Sequence, residues 1–376
     1  MSRGWEYCIW QSRRELLCSQ CLQKLLFSKK LLYEMSRTSH KRIPTDTKAE
    51  NSFIVTFSIG QYHFRFPLPL LGTVWVLAWC GFLGCVPAGD SSSQPEVVWG
   101  RRGVSEGMFE KPRAAAISPE DEIFIVDMTA RIQVFDLDGN FLRAWQIPEF
   151  YKGRPSGLSF NNDGNLLVAD THYNRMLVYT PDGKLLDEQT IGGIEGSQPG
   201  EFGFVTDAVQ DSQGNYYIAE YGQHDRIQKF DPQGNFLFQW GGHGQEPGQF
   251  VRPQNMVVDQ NDHIWVADAC NHRIQVFDAT GDEAKLVKIW GEHGSKPGEM
   301  GYPYDLQLDG EGHLYVVEYS NHRVQKFNLE GNSLGTWGIS GRQPGQLASP
   351  WALVRDKYGR IHVIDSENHR IQRIRL

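Results

Sequence analysis

Cysteine is nearly absent from most of this chain. Of six cysteines, Cys8, Cys18, Cys21, Cys80 and Cys85 lie in the first quarter and only Cys270 lies beyond, so no disulfide framework can hold the bulk of the protein. None is required, because 376 residues can bury a core without covalent staples. Cys18 and Cys21 form a CxxC with no second pair downstream, which argues against a zinc or redox centre there. Helical periodicity is missing after residue 95, and so are GxSxG, HExxH and phosphate-loop motifs. Helical folds and the commonest hydrolase, metalloprotease and nucleotide sites are thereby set aside.

Charge is missing in one place and one-sided in another. From Val86 onward there are 26 Lys and Arg against 40 Asp and Glu, a balance of −14, which repels phosphate backbones and argues against nucleic-acid binding. Between Arg65 and Asp90 there is no charged residue at all, and LPLLGTVWVLAWCGFLGCVPAG is apolar enough to enter a membrane. Its end, Phe82 to Cys85 (FLGC), resembles a bacterial lipobox, with Phe82 where Leu is usual and Cys85 as the lipidation candidate. The polar VPAGDSSSQPE that follows has the character of a tether. The expected organisation is an N-terminal extension over 1–65 that is disordered or removed, a signal peptide and lipobox or a single anchor over 66–85, a linker over 86–95 and one folded domain over 96–376. That arrangement places the domain at the cell envelope, facing the periplasm or the outer surface.

What the domain has in abundance is repetition. Arg131, Arg175, Arg226, Arg273, Arg323 and Arg370 head six copies of one phrase, 44, 51, 47, 50 and 47 residues apart. A period of 40–50 with short alternating apolar segments is the pattern of a β-propeller. Ile123 to Val126 and Ile274 to Phe277 read as strands from their β-branched and aromatic content, and DLDGN, NNDGN, DSQGN and DPQGN read as hairpin turns. VVWG at Val97 to Gly100 matches the ends of blades yet precedes the first copy, while the last copy stops at its third strand. The fold class expected is all-β: a six-bladed β-propeller of four-stranded antiparallel blades, closed by an N-terminal strand that completes the last blade and leaves no free edge.

VADACNHRIQVFD, VVEYSNHRVQKFN and VIDSENHRIQRIR resemble NHL repeats, and the resemblance covers residues 96–376. It implies the propeller fold and leaves function open, since such propellers include scaffolds and enzymes. Within that group, peptidyl-α-hydroxyglycine α-amidating lyases place zinc-binding histidines at first-strand positions. The matching positions here read Arg113, Ser156, Thr206, Gln254, Tyr304 and Trp351, and none is His. Tripartite-motif ubiquitin ligases also end in NHL propellers, but no RING or B-box pattern precedes residue 95.

His272, His322 and His369 recur one per blade at the start of a third strand, which favours bonding between blades over a shared zinc ion. Trp145, Trp240, Trp290 and Trp337 read as packing between sheets. Where the copies disagree is more informative. Copies three and five carry Glu220–Tyr221 and Glu318–Tyr319 in place of an aspartate, together with Asp207 and Asp305 on the first strand. Four acids converging on one mouth would need a cation, so Asp207, Glu220, Asp305 and Glu318 are the metal candidates, for Ca²⁺ or Zn²⁺; the plain alternative is a hydrogen-bond network inside each blade. Asn255 beside them resembles the axial Ca²⁺ sets of lactonase and phosphotriesterase propellers. Arg113, Asp207, Glu220, Tyr221, Gln254, Asn255, Tyr304, Asp305, Glu318, Tyr319 and Trp351 are the expected channel-mouth residues, with no catalytic residue assigned. The leading expectation is a binding scaffold that takes a protein, peptide or glycan on the face of its long interblade loops. The alternative is a metal-dependent lyase or hydrolase.

Overall fold

The computed structural model describes residues 54–59, 62–67 and 94–376. The chain divides into two units at residue 90. In the first, Ile54–Ile59 pairs antiparallel with Tyr62–Pro67, a hairpin not anticipated for the extension. The apolar stretch from residue 68 and Cys85 lie outside the described residues. Among those described, no helix is long and apolar enough to cross a membrane.

The second unit is the six-bladed propeller. Each blade is a four-stranded antiparallel sheet, blades one to five in simple sequence order, as in Pro253–Val258, His263–Asp268, Arg273–Asp278 and Lys285–Trp290 of blade four. The two central strands are apolar along both faces because both are covered; Ile123–Val126 is buried at every position. Outermost strands alternate, half-buried then exposed, as in Phe236–Gly241. Blade two is the irregular one, its fourth strand reduced to Ile191–Gly192.

Six apolar clusters fill the six gaps between neighbouring blades, for example Val209, Tyr217, Phe250, Met256 and Phe277 between blades three and four. Tryptophans of the outer strands close five of the six gaps, and Ile191 takes that place between blades two and three. Trp145 lies so close over Gly183 of the next blade's hairpin that a Cβ there would meet the indole at 2.6 Å, and Gly183 is also held at φ +91°. The turns are preorganised by aspartate: Asp136 Oδ1 accepts from the backbone N–H groups of Asp138 and Asn140, both at 2.9 Å.

Closure occurs where the repeat phase placed it. Val97–Trp99 pairs with the last strand, Ile371 opposite Trp99 and Arg373 opposite Val97, giving blade six its fourth strand. Glu96 adds a backbone N–H to Arg373 O at 2.7 Å and a carboxylate to Arg375 at 2.8 Å. Trp99 then packs on Phe135 of blade one at 4.8 Å between ring centroids, so the same residue joins the first blade to the last.

Histidine and arginine set the interblade loops. His272 Nδ1 accepts the N–H of Tyr302 in the next blade at 3.1 Å, His322 Nδ1 that of Ser349 at 2.9 Å and His369 Nδ1 that of Lys111 at 3.0 Å. In blade three Asp225 substitutes, accepting from Arg252 N at 2.9 Å. The receiving residues Lys111, Arg252, Tyr302 and Ser349 are all left-handed, with φ of 47–61°, immediately before the residue that opens the next blade. Trp99→Ala should lower stability by about 3 kcal/mol, since it removes an interblade aromatic and the closing strand's anchor together. Equilibrium denaturation checks this; a loss under about 0.5 kcal/mol, the size of a surface change, would place closure elsewhere.

Candidate ligand site at the channel mouth

The first strands line the axis, and the residue after each strand-opening position points to the mouth on the long-loop face. Four of those six side chains meet there. Tyr304 stacks on Tyr319 with centroids 4.6 Å apart and meets Trp351 edge-on at 5.0 Å. The Arg113 guanidinium lies 4.8 Å above the Trp351 ring, crossing from blade one to blade six. Gln254 accepts from Arg252 Nε at 3.0 Å, and the Arg252 guanidinium sits over Tyr221 at 4.9 Å and Tyr304 at 5.5 Å. Two guanidiniums on an aromatic floor result, in a domain of strongly acidic balance.

Arg113 is buried, and its affinity for the proton is lowered by that burial and by the charge of Arg252. His172, at the rim, is lowered likewise by burial and then by Arg113. Burial is the larger cause of both shifts and the neighbouring guanidinium the second. Arg252 was missed from sequence: it precedes the strand in an interblade loop, and its direction follows from φ of 61° and the bond to Asp225. The remaining first-strand positions turn to backbone, Thr206 Oγ1 donating to Pro253 O at 2.6 Å and Ser156 Oγ pairing with Thr171 Oγ1 at 2.8 Å.

One step deeper along the axis, side chains of blades three, four and five reach to the next blade. Asp207 Oδ2 accepts from Met256 N at 2.9 Å and Asn255 Nδ2 at 3.0 Å; Asn255 Oδ1 accepts from Leu306 N at 3.0 Å; Asp305 Oδ2 accepts from Leu353 N at 2.8 Å. The second oxygen of Asp207 is buried with no hydrogen-bond partner. It lies against Gly157, where a Cβ would come within 2.7 Å of it. Burial pushes Asp207 up to about 7, and burial together with the Asp207 charge holds Asp305 well above the carboxylate range.

The expectation that Glu220 and Glu318 join this pair is corrected. Glu220 Oε1 takes Arg226 Nε at 2.5 Å and Gln228 Nε2 at 3.2 Å, and Glu318 Oε1 takes Arg323 Nε at 2.6 Å and Gln325 Nε2 at 2.9 Å. Asp268 and Asp365 do the same with Arg273 and Arg370, both at 2.7 Å. The longer acids therefore belong to the network inside each blade, because an arginine two strands away from the axis claims them. Among the described residues no group of three or more His, Cys, Asp or Glu could hold a metal ion. The donors present do not fit Ca²⁺, which needs six to eight oxygens: both Asp305 oxygens and one of Asp207 are already taken by backbone N–H groups, and Asn255 presents its amide hydrogen to Asp207. Nor does a zinc ion fit first-strand positions that carry Arg, Ser, Thr, Gln, Tyr and Trp.

The comparisons agree with this architecture. The NHL repeat model matches residues 250–277, the end of one interblade loop and most of blade four. The chain is similar to peptidylglycine alpha-amidating monooxygenase of Rattus norvegicus, 30% identical over 188 residues, 48% of this chain and 18% of that protein. Monooxygenase A of Xenopus laevis is 36% identical over 144 residues, 36% of this chain and 15% of that one. Human NHL repeat-containing protein 3 is 28% identical over 163 residues, 40% of this chain and 46% of that one. The match thus spans less than half the length of each relative. Among solved structures, a gluconolactonase of Xanthomonas campestris superposes with TM-score 0.54 at 11% identity, covering 76% of this chain and 98% of that one. A streptogramin B lyase gives 0.51 at 15%, covering 77% and 89%. At these identities the structures bear on fold alone.

Asp207 makes the site's pH behaviour testable. Its folded value of about 7 lies above the ordinary carboxylate value of about 3.9, so its contribution to stability is complete below the latter and is lost as pH rises through 7. Asp207→Asn, which cannot ionise, should remove that loss: comparing unfolding free energies at pH 5 and pH 8, the variant should decline less than the parent. An equal decline in both would show that Asp207 is not protonated in the native state.

Proposed function

We propose that this protein is a ligand-binding propeller whose long-loop face takes a protein, peptide or glycan against the aromatic residues of the channel mouth. The observation that carries it is the cluster of Tyr304, Tyr319 and Trp351, whose rings meet at 4.6–5.8 Å between centroids and suit a flat or apolar group. An aromatic peptide side chain or the apolar face of a sugar has that chemistry, and a partner protein would present it on an exposed tip. In this reading the apolar stretch ending at Cys85 holds the domain at the cell envelope, with the mouth available to extracytoplasmic ligands. The test is calorimetric titration with 4-methylbenzoate. Tyr304→Ala and Trp351→Ala should each weaken binding by about tenfold, the loss of one ring contact. Undiminished binding in both variants, or none in the parent protein, would sink the proposal.

A second reading is supported by Asp207, a buried carboxyl with a value of about 7 just below the mouth. Such a group suits proton transfer in a lyase or lactone hydrolase that works without a metal, unlike the zinc-binding amidating lyases that the repeats resemble. Turnover of α-hydroxyglycine or lactone substrates by the chelator-treated protein, abolished in Asp207→Asn, would favour it over simple binding.

A further inference from the structure

An asparagine that braces one blade to the next is replaced in blade three. In blade four Asn271 Nδ2 donates to Gly244 O of the preceding loop and to Asp268 Oδ2, both at 2.9 Å. Asn321 of blade five does the same with Gly294 O at 2.7 Å and Glu318 Oε2 at 2.5 Å, and Asn368 of blade six with Gly341 O at 2.9 Å and Asp365 Oδ2 at 2.8 Å. Blade one substitutes Thr129, whose hydroxyl donates to Asp127, and blade two Tyr173, whose ring carries the Arg175 guanidinium at 5.2 Å. Blade three has His224 there, in a loop one residue longer: Glu220 stands six residues before its arginine, Glu318 five before its own. Two matching glycines show the consequence. A Cβ on Gly301 would meet Asn321 Cγ at 2.7 Å, so the carboxamide fills that space, and Gly301 is buried. A Cβ on Gly203 would meet Tyr221 O at 2.9 Å and Glu220 Oε2 at 3.2 Å but no atom of His224, and Gly203 is partly exposed.

That space belongs to a cleft of about 90 Å³ between blades two and three, lined by Asn174, Gly196, Gly203, Phe204, Gln223 and His224. The loop behind it follows the same course as in blade five: Gly196 N bonds Phe202 O and Gly294 N bonds Met300 O, both at 3.2 Å, while Arg226 takes Ser197 O at 2.7 Å and Arg323 takes Ser295 O at 2.6 Å. Gly196 O is therefore presented as Gly294 O is, yet no donor among the described residues reaches it. Glu220 Oε2 likewise takes Gly203 N and keeps the second acceptor position that Glu318 Oε2 gives to Asn321. Arg226 already balances the Glu220 charge, so the pair of acceptors suits a neutral donor. The volume equals about three waters, the heavy-atom count of one carboxamide. We infer that this cleft seats a ligand's primary carboxamide, as asparagine or glutamine of a bound peptide presents it, with N–H groups on Gly196 O and Glu220 Oε2 and the carbon stem leaving past the exposed Phe204 ring. The seat stands apart from the ring cluster at the mouth and does not depend on it.

The test follows the amide signals of Gly196 and Gly203 by TROSY NMR of the full chain during titration with propionamide, N,N-dimethylpropionamide and propionate. Propionamide should shift both signals saturably, and the two probes without N–H donors should bind at least about tenfold more weakly, the loss of bonds to a carbonyl and a carboxylate. Replacing residues 222–225 by the Ser-Asn-His of residues 320–322 gives blade three the length and the asparagine of blade five. That graft should abolish the propionamide shifts. Equal shifts from the three probes, none from propionamide, or propionamide binding that persists in the folded graft overturns the inference. The probe comparison needs only the parent protein, so it decides even where the graft does not fold, and a failure of 4-methylbenzoate to bind at the mouth leaves it untouched.

Discussion

Everything at the mouth depends on a buried clamp repeated around the ring. In blade four Arg273 Nε bonds Asp268 at 2.7 Å, while its other nitrogens take the carbonyls of Gln245, Glu246 and Gln249 from the loop arriving from blade three. Gln275 closes the same loop from below, accepting from Gly248 N at 2.9 Å and donating to Gln249 O at 2.8 Å. Asp268 Oδ1 then takes Val251 N at 2.8 Å, one residue before Arg252. A buried ion pair by itself is weak evidence of stability, because desolvation offsets attraction. Here the charges are satisfied by loop backbone, so what the clamp fixes is the path of the long loops and hence where Arg252 is delivered.

Blade two shows what happens when the clamp is incomplete. It has Leu177 where the others carry glutamine, and the loop before it lacks the PG turn. Arg175 keeps Asp170 at 2.9 Å but shares itself with Glu149 at 2.8 Å, and one Asp170 oxygen is buried without a partner. Burial accordingly raises Asp170 to about 6. The outer strand shrinks to two residues in the same blade, and the cleft beside Tyr221 opens at its junction with blade three. The loop that lines this cleft is itself held by the blade-three clamp, Arg226 donating to Ser197 O at 2.7 Å and to Glu201 O at 2.9 Å, so the irregularity stays within blade two.

How much of this was legible follows from what a repeat reveals. Six arginines in phase located every blade, and the stray VVWG located the seam, because strand closure obeys counting. Positions that vary between copies pointed to Arg113, Tyr304 and Trp351, which do converge. Glu220 and Glu318 misled because substitution at a repeated position looks like divergence toward function, whereas one extra methylene still reaches the same arginine. Arg252 was hidden for the opposite reason: its role depends on a left-handed backbone and a bond to Asp225, neither of which is written in residue type.

Protonation pulls this fold in two directions. His272 must stay neutral to accept from Tyr302, and burial followed by the His293 charge lowers it to about 4, against about 6.5 when unfolded. Its stabilisation is therefore present above pH 6.5 and lost as pH falls through 4. Asp207 runs the other way, favouring the fold below about 3.9 and opposing it above 7. Between these limits the interblade histidine gains what the axial acid loses, so a shallow dependence of stability on pH is the sum of two opposed terms.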